Sequence, residues 1–187
     1  MMRNNMHSRL HALLLIAILG FTAAACDSAE PDDDGAGEEE LITRIVLTLT
    51  SGDDTYMFEA SDPDGDGTDF QIGTLSLPAD AVYSGTVEVY DDVNDENLTD
   101  EIREEDDEHQ FFFETGGADA SRLAVTVDDT DENGLPVGLE YTLTVSAGEP
   151  GEATLRVILS HYDDEPKDGV NRSDETDVDV TFPVSIL

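Results

Sequence analysis

Along most of this chain apolar residues recur at every second position, and that period limits the available folds more than any other feature. Ile45, Leu47 and Leu49 alternate with Val46, Thr48 and Thr50, Val87 and Val89 flank Glu88, and Leu123, Val125 and Val127 flank Ala124 and Thr126. Tyr141, Leu143 and Val145 form another stripe, as do Leu155, Val157 and Leu159, and the last segment runs Val178, Val180, Phe182, Val184, Ile186. Successive side chains of an extended chain point to opposite faces, so each stripe predicts a strand with one buried and one wet side. Shorter strand candidates are Tyr56 to Ala60, Phe70 to Leu77 and His109 to Glu114. The stretches DPDGDG, SAGEPGE and DDEPKDG between strands are turn chemistry.

Eight or nine short strands with acidic turns predict an all-β fold, a two-sheet antiparallel sandwich of immunoglobulin-like type. The pattern does not encode the order of the strands. One helix is predicted, at Thr99 to Asp107, with Thr99 as N-cap and Leu98 and Ile102 on one side. Residues 41–187 form a single domain large enough for one core, without internal repeats. Cys26 is the only cysteine, so no internal disulfide braces that core, and packing or bound ions must hold it.

Residues 1–25 have the parts of a secretory signal: Arg3 and Arg9 supply positive charge and an apolar run from Leu10 to Phe21 follows. That run of about a dozen residues is too short to span a bilayer as a helix. Thr22-Ala23-Ala24-Ala25-Cys26 resembles the bacterial lipobox, with Ala23 where the family usually has Leu. The resemblance implies cleavage before Cys26 and acylation of its thiol, including palmitate, so that a lipid bilayer becomes the chain's first partner. Ordinary cleavage after Ala25, leaving a free thiol, is the alternative. Each buried CH₂ of an acyl chain contributes about 0.8 kcal/mol, so two or three chains anchor almost permanently. Residues 27–40, DSAEPDDDGAGEEE, hold eight acids and no large apolar side chain, and read with Cys26 as a solvated tether. A coil of that length spans on the order of 20 Å, more with self-repulsion.

All 45 acids but only six of the eight bases lie beyond Cys26, which leaves the mature chain with a net charge of −39. Such a charge destabilises a compact state at low ionic strength, and at 1 M salt, where the Debye length is about 3 Å, the repulsion is screened. Many acids with a single lysine resemble the proteins of salt-loving bacteria, and a cation-collecting surface is the alternative reading of the charge. Nucleic acid is excluded as a partner, because phosphate binding needs Lys and Arg.

The sharpest motif is DTDENGLPVGLE, residues 129–140, which matches a calcium loop with Asp129, Asp131 and Asn133 as side-chain ligands, Gly134 for the turn and Glu140 as the bidentate closer. Pro136 and the flanking strands separate it from an EF-hand. The plain alternative is a hairpin turn at Asn133-Gly134. That hairpin would pair Val127, on the buried stripe, with Glu140, on the wet one, so a bulge or longer ordered loop is required. A second acidic turn, SDPDGDGTDF, sets Asp62, Asp64 and Asp66 at calcium-loop spacing with Asp69 close behind, and turn chemistry at Gly65 and Gly67 explains it equally. Calcium is thus the one cofactor the acidic turns suggest.

His109 is in phase with Phe111 and Phe113, and His161 with Leu155, Val157 and Leu159, so both point to the core side near a strand end. They read either as amphipathic plugs at the rim or as a shared zinc, copper or haem site, with carboxylates such as Glu108 or Asp163 nearby. No nucleophile elbow, phosphate-cradling glycine loop, paired-cysteine motif or H-E-x-x-H helix occurs, and no carboxylate pair stands out, so an enzyme is not expected.

The phrases LITRIVLTLT, DPDGDG, DEHQFFF, GLEYTLT and DVTFPVSIL resemble a group of Bacteroidota lipoproteins of unassigned role. That group is often labelled with the type 1 periplasmic-binding fold, an α/β architecture the alternation here contradicts, since its parallel sheet needs several crossover helices. The resemblance, with the acids after Cys26, implies an outer-membrane-anchored protein in the cell envelope. The expected role is a non-enzymatic accessory binding or assembly module beside an outer-membrane transporter. The alternatives are metal capture through His109 and His161, or calcium-stabilised binding of polysaccharide or protein.

Overall fold

The computed structural model describes residues 40–187 apart from 67, 163 and 164. The signal segment, Cys26 and the tether up to residue 39 lie outside the described residues. Among the described residues, eleven strands form two sheets. They are β1 Arg44–Ser51, β2 Asp54–Ser61, β3 Gln71–Ile72, β4 Leu75–Leu77, β5 Ala81–Asp91, β6 Glu96–Asn97, β7 His109–Gly116, β8 Leu123–Val127, β9 Glu140–Val145, β10 Gly151–His161 and β11 Glu175–Ile186. The first sheet runs β3-β2-β1-β5-β9-β8, with β6 on β5, and the second runs β4-β11-β10-β7. Every strand pair is antiparallel except β4 with β11, so the all-antiparallel expectation fails at that one edge.

The stripes read from the sequence are the facing layers of the core. Leu47, Leu49, Val87, Val89, Tyr141 and Leu143 of the first sheet share one buried cluster with Leu155, Val157, Phe182 and Val184 of the second. In β11 all five apolar positions from Val178 to Ile186 are buried, alternating with Asp179, Thr181, Pro183 and Ser185. At about 1.5–3 kcal/mol for each large apolar side chain, that strand alone contributes on the order of 10 kcal/mol of transfer free energy. The chain entropy of ordering opposes it.

The helix, α1 Thr99–Glu104, is shorter than expected and its N-cap is Leu98. Thr99 makes no cap. Its hydroxyl instead lies 3.0 Å from the Val89 amide and 3.3 Å from the Val89 carbonyl, which pins the helix to β5. Leu98 and Ile102 are buried on one side, as the pattern required.

The expected misfit of a two-residue hairpin after β8 is resolved as predicted, by a longer ordered loop. Val127, half-buried, stands opposite the buried Tyr141, not the exposed Glu140. The loop then runs along the edge of β7, where the Phe111 amide donates to the Val137 carbonyl at 2.7 Å. Gly138 is needed there: its φ is +93°, and a Cβ would lie 2.7 Å from Phe111 Cβ and 2.9 Å from the Phe111 carbonyl oxygen.

Candidate metal centre

The pairing of β7 with β10 sets His109 directly opposite His161. Their imidazoles stack with centroids 4.4 Å apart and planes 20° from parallel, at 0% and 2% side-chain exposure. Two carboxylates join them. Asp177 belongs to β11, whose register against β10 shifts between Leu159, opposite Val178, and Ser160, opposite Thr176. Asp177 is therefore the extra residue of a β-bulge. A bulge re-aims a side chain, and this one turns Asp177, which strict alternation from Val178 would place outside, into the interior beside the histidines. Glu40 comes from just before β1, and its side chain is only 7% exposed. Glu40, which composition reads as the last residue of the tether, therefore packs with the folded domain.

The ligand-capable atoms lie at the corners of a compact polyhedron. His109 Nε2 is 3.1 Å from Glu40 Oε1 and 3.9 Å from Asp177 Oδ2, and His161 Nδ1 is 3.7 Å from both Glu40 Oε2 and Asp177 Oδ1. One ligand atom from each of the four residues falls within 4.8 Å of all the others. A tetrahedral ion with bonds of about 2.0–2.1 Å holds its ligand atoms about 3.3–3.4 Å apart, between the shortest of these contacts and the other three. His109 Nδ1 sits 3.1 Å from the carbonyl of Glu105, the C-cap of α1. With that carbonyl as acceptor an N–H belongs on Nδ1, which leaves Nε2 facing the Glu40 carboxylate, as a donor to it when the ring is charged and as a lone pair for an ion when the ring is neutral.

Electrostatics point the same way. Burial pushes the Glu40 carboxyl up, but the hydrogen bond and charge of His109 outweigh it and hold it below its ordinary value. Burial pushes His109 down, yet Glu40, the Glu105 carbonyl and Asp177 together raise it. Two buried carboxylates thus face two imidazoles at one point. The two imidazole rings stack at 4.4 Å with two carboxylates, Glu40 and Asp177, beside them. One divalent ion neutralises both carboxylates with both rings neutral. Two imidazoles with two carboxylates suit zinc, copper, iron or nickel rather than calcium or magnesium, which prefer all-oxygen shells.

No protein-family model matches this chain, and neither a curated protein nor a solved structure does.

The other predicted sites fare differently. In the 129–140 loop the carboxylates do not converge on a point, and calcium is not supported there. Asp129 accepts the amides of Gly138 and Leu139, Asp131 accepts those of Asn133 and Leu135 and pairs with Lys167, and Glu140 is exposed on β9. Gly134, at φ +79°, completes the turn as predicted. Asp62, Asp64 and Asp66 do gather, with Asp62 buried and the others exposed. Asp62 accepts the Asp64 amide, and Asp66 accepts both the amide and the hydroxyl of Thr68. Asp64 is raised by its hydrogen bond to Asp62 and the charge of Asp66. Of the carboxylates expected near the histidines, Glu108 contributes only its carbonyl, to the Tyr162 amide, and Asp163 lies outside the described residues.

Proposed function

We propose that this chain is a lipid-anchored envelope protein whose β-sandwich captures one divalent transition-metal ion through Glu40, His109, His161 and Asp177. The observation that carries this reading is the buried His109–Glu40 contact: an imidazole nitrogen oriented by Glu105 faces a carboxylate, with a second imidazole and a second carboxylate completing the shell. Four protein ligands leave no open position for a substrate, which supports binding rather than catalysis. Zinc titrated calorimetrically into chelator-treated protein is expected to bind at one ion per chain. The double variant His109→Ala/His161→Ala should lose that heat, while Asp62→Asn/Asp64→Asn/Asp66→Asn keeps it. Unchanged zinc binding by the histidine variant defeats the reading.

The anchor rests on the signal segment and Cys26. Replacing Cys26 with Ser is expected to move the protein from the membrane fraction to the soluble one, and continued membrane retention would refute lipidation. The excess of acids over bases supports a salty environment, in which a chain of this charge keeps a compact fold.

A further inference from the structure

The four ligands of the proposed centre have side-chain exposures of 0–7%, so an ion reaches them only by a defined route. One cleft touches a ligand of the centre and is lined by acids. It is bounded by His161, Glu165, Ser173, Asp174 and Glu175 and encloses about 320 Å³. His161, 2% exposed, is among its lining residues, and neither ring nitrogen has a hydrogen-bond partner. Nδ1 faces Glu40 and Asp177 of the inner site, so the same ring belongs to both spaces.

We infer that this cleft is the vestibule through which a hydrated divalent cation enters, held first by Glu165, Asp174 and Glu175 and then passed to His161. The inference rests on the metal reading of the inner site. Its size fits: six waters at about 30 Å³ each occupy about 180 Å³, within the cleft volume. Its chemistry fits as well. The carboxylates of the vestibule, Glu165, Asp174 and Glu175, offer oxygen and accept a cation that keeps most of its water, whereas the inner site offers the nitrogen ligands that repay dehydration. The chain's overall negative charge attracts cations everywhere, but a walled cleft concentrates field lines at one place. At high ionic strength only such short-range attraction survives.

The test is stopped-flow zinc uptake by the metal-free protein, followed with a coloured chelator in competition, at 1 M salt. Glu165→Gln/Asp174→Asn/Glu175→Gln is expected to slow association about tenfold while one zinc still binds per chain. Asp53→Asn/Asp54→Asn/Asp80→Asn removes equal charge at the far end of β1 and β5 and should stay within about twofold of the parent. Should Glu175→Gln disturb the start of β11, the pair Glu165→Gln/Asp174→Asn, both exposed, is expected to slow uptake by at least about threefold. Equal slowing by both triple sets, or none by the vestibule set, overturns the vestibule and leaves the inner site standing. Absence of zinc binding in the parent protein removes both.

Discussion

Zinc added to metal-free protein at a free concentration about a hundred times its dissociation constant is expected to raise the unfolding midpoint by roughly 5–11 °C. The linkage is direct, because the ligands come from positions 40, 109, 161 and 177, and an unfolded chain does not hold them together. A ligand that binds only the folded state stabilises it by about 2.7 kcal/mol at that excess, and each kcal/mol moves the midpoint of a domain this size by about 2–4 °C. The ion also joins the segment before β1, in the first sheet, to three strands of the second. A chain with one cysteine has no disulfide for that purpose. Melts should be run at 1 M salt so that general screening is already complete. His109→Ala is expected to abolish the shift, since losing a ligand costs more than the roughly 10- to 100-fold lost with a ligand's supporting hydrogen bond. Calcium at the same concentration should move the midpoint much less. An equal shift by calcium, or a zinc shift that survives in His109→Ala, would place the effect elsewhere on this acidic surface.

Half of that centre was legible in the sequence. His109 and His161 stand in phase with buried stripes, and a period of two suffices to send both inward. Their juxtaposition depends on which strands pair, and β7 meets β10 across a separation that alternation does not encode. Asp177 was hidden for a sharper reason. It sits one residue before Val178, so strict alternation puts it outside, and only the bulge opposite Leu159 and Ser160 turns it in. Glu40 closes an acidic run and reads by composition as solvent-facing. The cue is its proximity to Ile42, a core residue two positions on. The strands themselves were readable because burial on one face leaves a periodic mark. The calcium motif at 129–140 is ambiguous in sequence because the same Asp residues that wrap an ion also cap backbone amides, as Asp129 and Asp131 do here.

Asp131 shows what that loop chemistry stabilises. Its carboxylate is fully buried, accepts the Asn133 and Leu135 amides at 2.9 and 2.8 Å, and lies 3.2 Å from Lys167 Nζ, whose side chain is 2% exposed. Lys167, the only lysine in the chain, also donates to the Asp106 carbonyl at 2.7 Å, so the pair links the β8–β9 loop to the turn after α1. Asp131→Asn retains a carbonyl oxygen for the loop but strands a buried ammonium, and breaking a buried pair from one side costs about 3–5 kcal/mol. For a domain with about 5–15 kcal/mol in total, that is a large share. Asp131→Asn/Lys167→Met should recover most of the loss, because the pair's attraction largely offsets its own desolvation. Urea unfolding of the two variants measures the difference, and equal destabilisation would show that the loop, not the buried charge, carries the effect. Acid supplies an independent check. Burial pushes the Asp131 carboxyl up, but the Leu135 amide, Lys167 and the Asn133 amide together hold it below 3.8. A carboxyl lowered on folding stabilises the native state above its unfolded pKa, and that contribution disappears as pH falls through the folded value. The parent protein should therefore lose stability more steeply below about pH 4 than Asp131→Asn/Lys167→Met, which has no proton to take up at this position.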